Sequence, residues 1–146
     1  MVKGVLGLVL ALALIAAAGC GGSSDPETLT KAEFAQQGNK ICAEATQDRE
    51  KIIAELAETS NPKGNQEPVQ EEIIQKAMPT YEGAAEEIGE LGAPKGEEKK
   101  VESLVGAMEE AAERAKADPH TAVISNVPFR KADKLAEELE LKECVV

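Results

Sequence analysis

The chain has 146 residues, a net charge of −11 and an aromatic content of 2%. A chain of this length forms one domain and buries roughly two-thirds of the surface its unfolded form exposes. The negative charge repels phosphate backbones, and Phe34, Tyr81 and Phe129 are too few for base- or sugar-stacking surfaces, so nucleic acid is excluded as a partner.

The first segment reads as a targeting signal. Lys3 supplies a minimal positive region, Val5 to Ala18 is an apolar stretch, and Ala17-Ala18-Gly19-Cys20 closes it. The closing residues resemble a bacterial lipobox, with Ala17 standing where leucine is most often found. The resemblance implies that residues 1–19 are a lipoprotein signal peptide. Cys20 would take diacylglycerol on its thiol and become the acylated N-terminus. Two other readings are open at this point. Ordinary cleavage after Ala16-x-Ala18 would leave Cys20 a free thiol, and an uncleaved anchor would need an apolar run nearer the ~20 residues that span a bilayer.

Residues 20–28 follow as a lipidated N-terminus and flexible tether. Gly21-Gly22-Ser23-Ser24-Asp25-Pro26 carries no hydrophobic pattern, and a coil of that length spans on the order of 15 Å. The domain proper, 29–146, is therefore expected to stay near a membrane surface. Loss of residues 1–19 removes Lys3 and no other charged side chain, so the remainder is one charge more negative still. Anionic headgroups repel such a domain, which is expected to stand off the bilayer on its tether.

Four segments of the domain repeat apolar residues at spacings of three and four. In the first, Leu29, Phe34, Ile41, Cys42, Ala45, Ile52 and Leu56 form a stripe, and Thr30 with Glu33 is a capping-box pattern. Thr59 to Gln66, with Asn61-Pro62 and Lys63-Gly64, is expected to be a loop. The second stripe runs from Val69 through Ile74, Tyr81 and Ile88 to Leu91 and keeps its register across Pro79, which predicts one helix kinked rather than two. Gly92 and Pro94 end it.

The third helix presents Val101, Leu104, Met108 and Ala112, with Glu97 and Glu98 in a first turn whose dipole favours acids. Asp118-Pro119 stops it. Within the apolar stretch Ala122 to Val127 and its approach, Thr121 to Ser125 is the one β-prone run, and Asn126 is expected to cap a last helix with Phe129, Leu135, Leu139 and Leu141. Four one-faced helices bury their stripes against one another, which predicts an all-α domain, an antiparallel four-helix bundle.

The cysteines fit that layout. With Cys20 lipidated, Cys42 and Cys144 remain as an even pair and are expected to form a disulfide in an oxidising compartment; two separate buried thiols are the alternative. Four antiparallel helices return the chain end to the side where the first began, beside Cys42, so the helix count and the disulfide support one another. The run Leu29-Thr30-Lys31-Ala32-Glu33-Phe34 followed by Ile41-Cys42, with a closing helix through Leu141 to Cys144, looks like the small helical secreted proteins and lipoproteins common in actinobacteria. That resemblance implies a helical domain with the two cysteines paired and carries no catalytic residues across. Glu140 departs from it, standing where a glycine precedes the terminal leucine.

No constellation of catalytic or metal-binding residues emerges. His120 is the only histidine, and no cysteine pair has ligand spacing. The pairs Glu71-Glu72, Glu86-Glu87, Glu97-Glu98, Glu109-Glu110 and Glu137-Glu138 fall mostly on outward faces and lack the Glu-x-x-His pattern of a carboxylate-bridged centre. The reading is a non-enzymatic, membrane-tethered extracytoplasmic lipoprotein with no cofactor. It is expected to serve as an interaction or structural envelope module, with an exported or integral membrane protein as partner. A carrier holding a small apolar ligand or lipid between its helices is the other reading.

Overall fold

A computed structural model describes residues 28–59 and 67–146; Cys20, the expected signal peptide, most of the expected tether and all but Thr59 of the expected loop Thr59 to Gln66 lie outside them. Five α-helices follow in order: α1 (Lys31–Thr59), α2 (Glu67–Glu90), α3 (Glu98–Ala117), α4 (Pro119–Ile124) and α5 (Arg130–Glu138), before a closing 3₁₀ turn at Lys142–Cys144. No strand occurs among the described residues. None of the described helices is long and apolar enough to cross a membrane.

The starts and stops are set by local chemistry. The capping box forms as read: the Thr30 N–H donates to Glu33 Oε2 at 2.9 Å and the Glu33 N–H to Thr30 Oγ1 at 3.2 Å. Two donors that a helix start leaves orphaned are thereby satisfied. The α2 helix runs through Pro79 as a single element. It ends where Gly92 takes a φ of 74°, a left-handed turn that costs a glycine nothing. At the end of α3, Asp118 accepts from the Thr121 N–H at 3.1 Å, and Pro119 fills the first position of α4.

That cap explains a difference from the sequence reading. The β-prone run from Thr121 becomes helical through Ile124, because Asp118-Pro119 supplies a ready helix start. Asn126 also differs from expectation. The last helix begins only at Arg130 with no side-chain cap, and Asn126 contributes its carbonyl, which accepts from the Phe129 N–H.

The core is alanine-rich, as the composition demands. Ala85, Ala112, Ala115 and Ala136 are wholly buried beside Ile88, Leu104, Met108 and Leu141. All three aromatic residues lie inside, and Tyr81 meets Phe129 edge to face, with ring centroids 5.5 Å apart. Such a pair adds about 0.5–1.5 kcal/mol beyond its burial.

Helix α2 packs against α1 on one side and α3 on the other, and α3 packs against α5. No α-carbon of α5 comes within 8 Å of one in α1. The closing turn takes that position and packs against both helices. Asn39 fixes it in place: its Nδ2 donates to the Glu140 carbonyl at 2.9 Å, and its Oδ1 accepts from the Glu143 N–H at 2.9 Å. Glu140 takes a φ of 61°, in the left-handed region that favours glycine. It turns the chain so that Leu141 enters the core and Cys144 reaches α1.

Candidate functional site

Of the residues singled out from sequence, Cys42 and Cys144 are joined by a disulfide, their α-carbons 5.0 Å apart, with both residues buried. Cys20 lies outside the described residues. His120 is exposed on α4. Glu97 is half-buried and paired with both Lys31 and Lys100, while its neighbours in the glutamate pairs stand exposed. Among the described residues no three His, Cys, Asp or Glu side chains gather as a metal site requires.

Beside the disulfide is a narrow crevice of about 260 Å³, lined by Arg49, Thr46 and Tyr81 among others. The Tyr81 hydroxyl is buried there with no hydrogen-bond partner among the described residues. Burial first, and then the Asp133 charge, push its pKa upward, against Arg49, which lowers it. Asp133 is itself buried and accepts the Val146 N–H at 3.0 Å. These groups weld the closing segment onto α5. Sequence patterning gave no sign of Asn39 or Asp133, because their partners Glu140, Glu143 and Val146 lie outside their own helices.

The surface offers two broad grooves. One, between α1 and α2, is lined by Gln37, Lys40, Glu44, Glu87 and Glu90 with Ile41 and Leu91. Its Lys40 stands 3.8 Å from Glu44, so the charge there is partly answered from within. The other runs between α2 and α3 and encloses about 740 Å³ counting its open mouth. Its floor is apolar and shallow: Gly89 from α2, Ala93 from the turn that follows it, and Val101, Val105 and Gly106 from α3. A β-carbon on Gly89 would lie 3.6 Å from Val105 Cγ2, an ordinary contact that marks how closely the two helices approach.

Glu98, Glu102 and Glu109 form the rim of this second groove. The Gly96 N–H donates to Glu98 Oε1 at 3.0 Å, and this bond, then one from the residue's own N–H, holds its pKa below the usual carboxylate range. Lys95 acts on Glu98 only through space, as the weakest of the influences on it. Of the α3 cations, Lys100 pairs with Glu97 and Glu138, Arg114 with Glu110, and Lys116 with Glu82 and Glu113, while no ion pair joins the exposed Lys99 to the rim. The rim is an unneutralised row of carboxylates over an apolar floor. Such an arrangement performs no bond chemistry by itself, but it suits a complementary surface.

A separate apolar patch lies on and after α4, where Val123, Ile124 and Val127 are 46%, 64% and 47% exposed. Comparison of the chain with family models, with curated proteins and with solved structures found no match.

Proposed function

We propose that the protein is an exported lipoprotein, held to a membrane by lipid on Cys20, that presents its helical surface to an exported or integral membrane protein and catalyses nothing itself. In this reading the four longer helices form an antiparallel bundle, and the closing segment fills the wall between the first and the last. The α2–α3 groove is the docking face.

The observation that carries the reading is the groove itself, an open apolar floor rimmed by Glu98, Glu102 and Glu109, with no ion pair to the rim among the described residues. The buried disulfide adds support for an oxidising compartment. An apolar-ligand carrier would need room between the helices. Ile88, Leu104, Met108 and Ala112 occupy that space, so the docking reading is preferred.

The test follows the lipid and the partner together. Metabolic labelling with palmitate is expected to mark the protein and to fail for Cys20→Ala, which leaves the membrane fraction. Cross-linking in intact cells is expected to capture one membrane or exported protein reproducibly, and to lose it with the same substitution. A protein that takes no label and stays with the membrane when Cys20 is replaced would overturn the anchor. Capture of nothing but itself would overturn the docking role.

A further inference from the structure

Gly106 is the starting point. It lies inside α3, exposed, and its φ is not among the positive ones, which belong to Gly92 and Gly96. An exposed glycine in a helix interior costs about 0.8–1 kcal/mol relative to alanine. A β-carbon added there would meet nothing within 4 Å. Neither the backbone conformation nor the packing among the described residues calls for glycine at that place. At the edge of the groove, its missing side chain leaves room for a second backbone to come close from outside.

The charges define what approaches. Glu102, Gly106 and Glu109 follow one another at spacings of four and three, so they lie along one stripe of α3 with the glycine between the acids. Glu98 extends the stripe by another turn, and the whole row is about 16 Å long at ~1.5 Å per residue. That is the length of three turns of a facing helix. Nucleic acid and anionic lipid are repelled by this rim. A second copy of the chain, which carries −11 overall, would bring more negative charge to it.

We infer that the α2–α3 groove receives a cationic amphipathic helix of the partner protein. Its small or aliphatic face lies on Val101, Val105 and the open Gly106, and its lysines or arginines lie against Glu98, Glu102 and Glu109. This deepens the docking reading above and depends on it only in that the groove is taken as the docking face. Packing against the floor supplies the affinity and the carboxylates supply orientation and encounter rate.

The probe is a dye-labelled synthetic helix of about 18 residues, long enough to hold helical structure, with lysines on one face and alanine and leucine on the other. Fluorescence anisotropy with the intact protein is expected to show saturable binding that a scrambled peptide of the same composition does not match. Gly106→Trp, which fills open space and leaves every charge in place, is expected to weaken binding about tenfold or more, the scale of a blocked central contact. Glu102→Gln with Glu109→Gln, which leaves the floor untouched, is expected to do the same. Far-UV circular dichroism of both variants confirms an unchanged helix content.

Equal binding of the scrambled peptide, or indifference to Gly106→Trp, would reduce the groove to bulk charge and overturn the proposal. So would a Gly106→Trp-sensitive dimer in sedimentation, which assigns the face to a second copy, or competition by phosphatidylglycerol vesicles, which assigns it to lipid. Capture of a partner in cells that survives Gly106→Trp would sink the groove while leaving the docking function standing. Loss of all Cys20-dependent capture alongside intact peptide binding would do the reverse.

Discussion

A β-carbon placed on Gly38 would sit 2.6 Å from Cδ2 of Leu141, so the closing segment rests directly on the backbone of α1. Leu141 is wholly buried, so its side chain can yield only by displacing its own core neighbours. Gly38→Val is therefore expected to destabilise the fold by about 1–3 kcal/mol, the usual cost of overpacking a filled site. Urea denaturation reads this as a lower midpoint at unchanged slope. An unchanged midpoint would mean that the segment lifts away from α1 without cost.

The disulfide should matter more than any single packing contact. Cys42 and Cys144 are 102 residues apart, and a loop of that order stabilises by up to about 4.7 kcal/mol in the chain-entropy model. Replacing both with serine, or reducing the bond, is expected to lower stability by about 2–4 kcal/mol. The α2–α3 pairing should survive the loss, so far-UV circular dichroism at low temperature is expected to change little.

Glu140 offers the opposite experiment. Its left-handed φ of 61° is a conformation that an ordinary side chain holds at roughly 1–2 kcal/mol. Glu140→Gly removes that strain but loosens the unfolded chain, which takes back roughly 0.5–1 kcal/mol. A net gain of up to about 1 kcal/mol is expected, and a net loss would show that the glutamate side chain makes an essential contact.

Asp133 and Tyr81 set a pH dependence of unusual sign. Burial first, and then Glu137, raise the Asp133 pKa against the lowering effect of the Val146 N–H. Below the ordinary aspartate value both folded and unfolded chains carry the proton and no penalty arises. As pH rises through that value and on through the raised one, the folded chain is the harder to ionise, and stability falls. Asp133→Asn is expected to remove this fall, so the variant gains on the wild type as pH rises above the ordinary aspartate value of about 4. Denaturation midpoints across that range that run parallel for the two proteins would contradict the assignment. Tyr81→Phe, which deletes a buried hydroxyl with no partner, is expected to be neutral or stabilising by about 1 kcal/mol.

Local chemistry was readable from the residues, and long-range chemistry was not. The Thr30–Glu33 box, the turn at Gly92 and the helix stop at Asp118 each depend on neighbours within a few positions, and each is found where the pattern puts it. The Cys42–Cys144 bond was accessible because cysteines can be counted, and with Cys20 set aside two remain to pair. Asn39 left no trace, since its partners Glu140 and Glu143 lie 101 and 104 residues away and a single asparagine has no periodicity. The glutamates are exposed, as their outward spacing suggests. That Glu98, Glu102 and Glu109 border one groove depends on α2 lying alongside α3, which no stretch of either helix announces by itself.

The place of Leu141 over Gly38 makes folding a matter of timing. Helices α1, α2 and α3 pack against their sequence neighbours, but the residues that cover α1 and supply the partner of Cys42 are synthesised last. Until then Cys42 is a thiol in search of a partner, and the nearest in the chain is Cys20. A lipid on Cys20, as proposed above, would take that competitor away, so the proposed anchor would also guard the pairing of the other two cysteines.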